Sequence, residues 1–206
     1  LYIRGSHKYA YLQRAITQQF FREAYMPIEP KAFTTGHDKF MTTLILQENG
    51  VTVPKTYYAA NTDAARRIID DVVGYPIILK AQAGTHGKGV LIAENAKTAK
   101  GILDILDSFK QPFIIQEFVK TVNTSDIRVL VSGRKVIASY LRVAHEGDFR
   151  SNVHAGGKRE EHKLTKEQER LAVRSAKILG CDICGVDILN SKDPSVIEIN
   201  LSPSLH

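Results

Sequence analysis

Three observations predict an α+β fold for this 206-residue chain. Runs with apolar residues at helical spacing alternate with short β-branched runs. Two of the strand runs flank a glycine-rich loop, and two others flank a Ser-Gly-Arg turn, so these neighbours pair as hairpins rather than through helical crossovers. With 43% hydrophobic and 24% charged residues the chain can bury a real core, as one domain or two small ones.

Residues 8 to 25 place Tyr9, Leu12, Ile16 and Phe20 at helical spacing and read as a helix. Residues 1 to 40 are expected to be the end of a preceding domain and its linker. In "DKFMTTLILQENG" Asp38 stands near the start of a second helix and Gly50 at its end, and Pro54 closes the following turn. Asn61 caps a third helix that ends at Gly74. "PIILKAQA", the glycine loop and "VLIAEN" then read as strand, loop and strand. Asn95 opens a helix with Ile102, Leu103, Leu106 and Phe109 on one side, and "PFIIQEFV" returns as a strand. These elements form a predicted subdomain over residues 41 to 116.

A second subdomain, residues 117 to 206, opens with "DIRVLVSGRKVIASYLRV", two alternating runs around the Ser-Gly-Arg turn. The polar stretch "AHEGDFRSNVHAGGKREEH" holds three glycines and reads as a mobile binding loop. Thr165 and Gln168 match a capping box for a helix ending at Gly180. Two strands follow, "DICGVDILN" and "SVIEIN", separated by "SKDP". The chain begins without Met and stops in mid-motif at "NLSPSLH", so an internal portion of a longer protein, truncated at its C-terminal end, is expected.

No run approaches the 18 apolar residues of a membrane span and no signal peptide opens the chain, which makes no membrane and a cytoplasmic location the default expectation. A net charge of +6 and a pI near 9.3 favour anionic partners without choosing among them. Nucleic acid is disfavoured, because no RNP-like aromatic motif or basic-aromatic interleaving is present. Cys181 and Cys184 follow a helix instead of opening one, and no second pair completes a zinc site, so both are expected to be structural. Homo-oligomerisation stays open.

The loop "GTHGKGV" comprises Gly84, Thr85, His86, Gly87, Lys88, Gly89 and Val90. A Walker loop or dinucleotide fingerprint needs its glycines between a strand and a helix, because the helix end supplies the anion site. Here a strand follows. A glycine loop between antiparallel strands is instead a flap that folds over phosphates, and Lys80 on the incoming strand supplies a point charge for them. The absence of H-R-D and D-F-G rejects a protein kinase.

A four-residue "SKDP" loop pairs Asn190 with Ser195, which sets Asp187 opposite Glu198 and Asn200 on the same face as Glu198. Two cross-strand carboxylates roughly 5 Å apart destabilise a sheet unless a cation lies between them. Asp187, Glu198 and Asn200 are hard oxygen donors suited to Mg²⁺, with Mn²⁺ able to substitute.

Together "DKF", "IILKAQAGTHGKGV", "IIQEFV", "DIRVLVSGRKVIA", "FRSN", "GVDIL" and "VIEINLSP" carry a family resemblance. In order and spacing they resemble the ATP-grasp ligases, and most of all the RimK-like branch, over roughly residues 36 to 206. The resemblance implies an ATP-grasp fold, two α+β subdomains with mainly antiparallel sheets clasping ATP. By position Lys39 and Lys80 resemble the family's phosphate-contacting lysines, and the glycine loop resembles its phosphate flap. Gln116, Glu117, Phe118 and Val119 resemble the hinge, where the backbone around Glu117 and Phe118 reads adenine. Asp126 resembles a nucleotide contact at the ribose. Arg150, Ser151 and Asn152 match the segment that approaches the phosphates and the activated carboxylate, and Asp187, Glu198 and Asn200 match Mg²⁺ ligands. Arg128 and Arg142 alternate onto site-facing positions, with a structural salt bridge as the equal alternative. Ser204 departs from the glycine common after "SP", which leaves the shape of the acceptor pocket open.

The expected activity is therefore an ATP- and Mg²⁺-dependent joining of an amino acid, glutamate above others, to an acceptor carboxylate on a small molecule, peptide or protein tail. The step runs through an acyl phosphate, with Arg150, Asn152 and Arg128 at the reacting groups. The alternatives are another ATP-grasp carboxylate-activating enzyme, such as a carboxylase component, or a non-catalytic nucleotide-binding module.

Overall fold

The computed structural model describes residues 1–81, 89–108, 112–144 and 158–203. A short 3-10 turn leads into α1 (Ala10–Phe20), followed by α2 (Pro30–Gly36) and α3 (Lys39–Glu48). Asp38 caps α3 by accepting hydrogen bonds from the Phe40 and Met41 amides, both 2.9 Å. The predicted helix at the start of the chain is present, but its apolar stripe is turned outward. Tyr9, Leu12, Ile16 and Phe20 are exposed, whereas Ala10, Gln13 and Thr17 are buried. The small and polar side is the one that lets α1 approach α2 closely.

Strands β1 (Thr56–Ala59), β2 (Ile77–Ala81), β3 (Val90–Ala93) and β4 (Phe113–Glu117) form an antiparallel sheet in the order β1-β4-β2-β3. One face presents Ile77, Leu79, Phe113 and Ile115 to α4 (Thr62–Ile68) and α5 (Ala96–Ser108), which supply Ala65, Leu103 and Leu106. Burying each such large side chain contributes about 1.5–3 kcal/mol. Asn61 and Asn95 cap the two helices as expected, through the Ala64 and Thr98 amides.

The second sheet contains β5 (Ser125–Ser132), β6 (Lys135–Val143), β7 (Lys158–Glu161), β8 (Ile183–Leu189) and β9 (Ser195–Asn200), in the order β7-β6-β5-β8-β9. Gly133, with φ +61°, occupies the predicted turn between β5 and β6, a backbone conformation open to glycine at no steric cost. Helix α6 (Lys166–Leu179) covers one face of this sheet. It starts with the full Thr165–Gln168 capping box and stops at Gly180 in the left-handed conformation. Val129, Val131, Cys184, Val186 and Ile188 pack beneath it with Leu171 and Ala176. Cys181 and Cys184 are buried free thiols, in keeping with a structural role.

Several sequence-based expectations are corrected. Strand β1 and helix α2 were not predicted, and the last residues of the predicted loop form the edge strand β7. Ile28, Ala32 and Phe33 pack in the core under the five-stranded sheet, as do Leu46 and Val51, whereas the core of the four-stranded sheet takes its first buried residue from Ala59. Asn190 does not pair with Ser195. Leu189 does, and an irregularity between Asp187 and Ile188 absorbs the one-residue slip, so that Asp187 still faces Glu198. Phe109 and most of the predicted binding loop lie outside the described residues.

Candidate active site

The face of β2 opposite its helix-covered side carries Ile78 and Lys80. Lys80 Nζ donates to Gln116 Oε1 at 2.7 Å, and Gln116 Nε2 donates to Thr56 Oγ1 at 2.7 Å, so β4 and β1 hold the lysine's position. Burial lowers the Lys80 pKa to about 8. Glu198 opposes that shift and Lys39 adds to it. Side chains from β2, from β9 and from the first residue of α3 therefore converge electrostatically. Phe40 stacks on Tyr58 with ring centroids 5.0 Å apart, which ties α3 to the small sheet next to Lys39.

On the five-stranded sheet Arg128 stands opposite Asp187, and Asp126 opposite Arg142. Arg128 donates through Nε to Asp187 Oδ1 and through Nη2 to Asp187 Oδ2 at 2.9 Å. Arg142 Nη2 lies 2.9 Å from the same Oδ2 and also donates to Asp126 Oδ2, while Arg142 Nε donates to Asp126 Oδ1 at 2.9 Å. Two aspartates, each 2% exposed, and two arginines thus form one buried network of zero net charge. Burial by itself would raise the Asp187 pKa, but the two guanidinium groups outweigh it and hold the carboxyl below its usual range. Gly185 is what admits Arg128, since a Cβ there would stand 3.3 Å from Arg128 Cδ.

This network changes the argument for a metal. Arginines already compensate the Asp187 charge, so the Asp187–Glu198 pairing does not by itself demand a cation between the strands. The donor set still fits Mg²⁺. Among the described residues only the Arg128 Nε–H bonds to Asp187 Oδ1, while Asn200 Nδ2 lies 3.5 Å from Asp187 Oδ2. Glu198 and Asn200 both line a cavity of about 310 Å³. Few protein ligands and ample room for water and phosphate are what Mg²⁺ requires.

The same cavity brings in Lys39, His7 and His37. His37 Nε2 donates to the buried Gln13 Oε1 at 3.2 Å, and burial, His7 and Lys39 lower its pKa. Neither histidine nor Gln13 was singled out from the sequence; the only signal was that His37 directly precedes the "DKF" motif.

The remaining predicted residues fall in two groups. Gln116 is buried against Lys80, and Glu117 is tied to Lys55 on both sides: its amide donates to Lys55 O at 2.9 Å and its Oε1 accepts from the Lys55 amide at 2.8 Å. Gly89 ends the glycine loop with φ +78°. Asp126 faces Arg142 across the strands with both oxygens engaged, and Arg128 is likewise engaged by Asp187. Gly84, Thr85, His86, Gly87, Lys88, Arg150, Ser151, Asn152 and Ser204 lie outside the described residues.

A family model for the RimK-like ATP-grasp domain matches residues 36–206. The chain is 42% identical over 193 residues to a probable alpha-L-glutamate ligase of Maridesulfovibrio salexigens, covering 93% of this chain and 64% of that protein. It is also 42% identical to a probable alpha-L-glutamate ligase of Vibrio atlanticus, covering 86% of this chain and 59% of that protein. The chain thus spans about three-fifths of the length of these relatives. A structure of the ATP-grasp ligase PsnB complexed with minimal precursor, Mg and ADP superposes with a TM-score of 0.73 at 22% identity, covering 95% of this chain and 60% of that one. No helix among the described residues is long and apolar enough to cross a membrane. With two antiparallel sheets, a lysine on the first coupled electrostatically to Glu198 on the second, and a family model matching from the α2–α3 junction to the last residue, this chain belongs to the RimK-like ATP-grasp family.

Proposed function

We propose that the protein is an ATP- and Mg²⁺-dependent ligase that joins glutamate to an acceptor carboxylate through an acyl phosphate, with Mn²⁺ able to replace Mg²⁺. The observation that carries this reading is the meeting of Lys39, Lys80, Glu198 and Asn200, two cations and a hard-oxygen pair drawn from three separate elements.

The chemistry follows from the inertness of a carboxylate toward amines, whose carbonyl carbon is electron-rich and whose oxide is a poor leaving group. An acceptor oxygen attacks the γ-phosphorus and ADP departs. The amine lone pair then attacks the acyl carbon, inorganic phosphate leaves and the nitrogen gives up its proton. Lys39 and Lys80 neutralise charge on the moving phosphoryl group. Glu198 and Asn200 would hold the metal together with Asp187, whose orientation Arg128 and Arg142 fix. Mg²⁺, when bound, spreads the phosphate charge and orients the phosphates. In this assignment Arg128 and Arg142 act through Asp187, and Arg150 and Asn152 retain their expected role at the reacting groups. Closure of the glycine loop over the site would exclude water from the reactive acyl group.

The test is a screen of carboxylate acceptors with single amino acids, reading ADP and phosphate release and the mass of the product. An adduct heavier than the acceptor by one glutamate residue, formed only with Mg²⁺ or Mn²⁺, is the expected result. ATP hydrolysis with no adduct for any acceptor would remove the ligase reading.

A further inference from the structure

The cavity lined by Glu198 and Asn200 is also lined by residues with no part in the phosphate chemistry: the N-terminal segment from Gly5 to His7, Gly36 and His37 at the α2–α3 junction, and Ser202 after β9. The segment is held there by specific bonds. Arg4 Nη2 donates to Pro203 O at 2.9 Å, Tyr2 Oη donates to Leu201 O at 3.3 Å, and the Gly5 amide donates to Ser202 Oγ at 3.4 Å. The wall is tight as well as anchored, since a Cβ on Gly5 would stand 2.9 Å from Gln13 Nε2.

Selecting an acidic amino acid needs a cation at its side-chain carboxylate. Of the candidates the sequence offers, Arg128 and Arg142 are both committed to buried aspartates, and Lys158 stands exposed on the edge strand β7. We propose that the part of this cavity lined by His7 and His37 is the subsite that takes the side-chain carboxylate of the incoming amino acid. This rests on the ligase reading and supplies its missing specificity element. Three features support the assignment. The volume of about 310 Å³ lies at the small end of ligand pockets and suits a free amino acid better than a folded protein tail. Lys39 supplies the standing positive charge of the lining and the His7 and His37 rings add nitrogen groups, with Glu198 as the acid on the same lining and Asp38 beside it engaged in capping α3. The Gln13 contact takes the Nε2–H and fixes the His37 ring, leaving Nδ1 to donate to a carboxylate once the ring is protonated. An entering carboxylate sets an opposite charge beside His37 and so opposes the lowering of its proton affinity by burial, His7 and Lys39.

The experiment is calorimetric binding of L-glutamate, L-glutamine and N-acetylglutamate to the full chain with AMP-PNP and Mg²⁺ present, repeated for His37→Gln and His7→Gln. Glutamine is the neutral isostere, and N-acetylglutamate keeps both carboxylates but lacks the free amine. The expected result is that wild type prefers glutamate over glutamine by about tenfold or more and that each substitution cuts this ratio severalfold. His7 is the peripheral member of the pair, so His7→Gln keeps the test alive if His37→Gln fails to fold. A ratio that neither substitution moves overturns the subsite, as does glutamate failing to bind while AMP-PNP binds, and the ligase reading then stands. N-acetylglutamate binding as tightly as glutamate also overturns it, assigning the cavity to the acceptor. Failure of AMP-PNP to bind at all would instead overturn the nucleotide reading beneath it.

Discussion

Glu198 on one sheet partly restores the proton affinity that Lys80 on the other sheet loses through burial. The pair is an electrostatic link between the two halves of the site. The lysine's pKa of about 8 makes the link measurable, because a neighbouring phosphate stabilises the ammonium form.

Nucleotide binding should therefore take up a proton at pH 8. Calorimetry in buffers of different ionisation enthalpy should show a buffer-dependent heat in the wild type that Lys80→Met abolishes. The substitution should also weaken ATP binding by about 1.5–3 kcal/mol, the scale of a hydrogen bond to a charged group. Unchanged affinity would remove Lys80 from the phosphate site.

The same group sets a stability trend in the nucleotide-free protein. Its folded pKa of about 8 lies below the roughly 10.4 of an unfolded lysine, so between those values the unfolded chain binds more protons. The Lys80 contribution must rise with pH across that window and be flat below it. Denaturation of wild type and Lys80→Met as a function of pH should differ in slope only there.

Arg142→Met should lower stability by about 3–5 kcal/mol, because it strands buried charge on Asp126 and Asp187. The depressed Asp187 pKa adds a pH signature of definite sign. Its stabilising contribution is complete above roughly pH 4, the unfolded value, and is lost as pH falls toward the lower folded value. Urea denaturation from pH 7 down to pH 2 measures both effects, and a near-neutral Arg142→Met would show that the network carries little of the fold.

Glu198→Gln should abolish turnover while leaving metal-free stability within about 0.5 kcal/mol, the range of substitutions outside a buried network. Loss of Glu198 should also move the pH of maximal proton uptake on nucleotide binding below that of the wild type, since the opposing charge at Lys80 is gone. A large loss of metal-free stability with activity retained would mark Glu198 as structural.

Much of this architecture was legible from local signals. Asp38, Asn61, Asn95 and the Thr165–Gln168 pair announced their helices because a cap is a contact between near neighbours. The Asp187–Glu198 pairing was also legible, although the turn that predicted it was one residue out and an irregularity in the ladder corrected the register. Strand β1 was missed because four residues between Pro54 and Asn61 are too few to show a period. Strand β7 was missed because "KREE" is exposed throughout and has no apolar alternation. The binding of Arg128 to Asp187 crosses 59 positions and depends on β8 docking beside β5, which no short-range pattern encodes. The outward turn of α1 was not legible for a related reason, because periodicity identifies an apolar face without saying what covers it.

The central claim is that an acceptor carboxylate is activated as an acyl phosphate before the amine attacks. Its most direct test is to run the ligation with an acceptor from the screen labelled with ¹⁸O in its carboxylate and to measure the label in the inorganic phosphate released. An acyl phosphate requires one acceptor oxygen to leave with phosphorus, so one ¹⁸O per turnover is predicted. Phosphate free of label, released in step with product, would contradict the account.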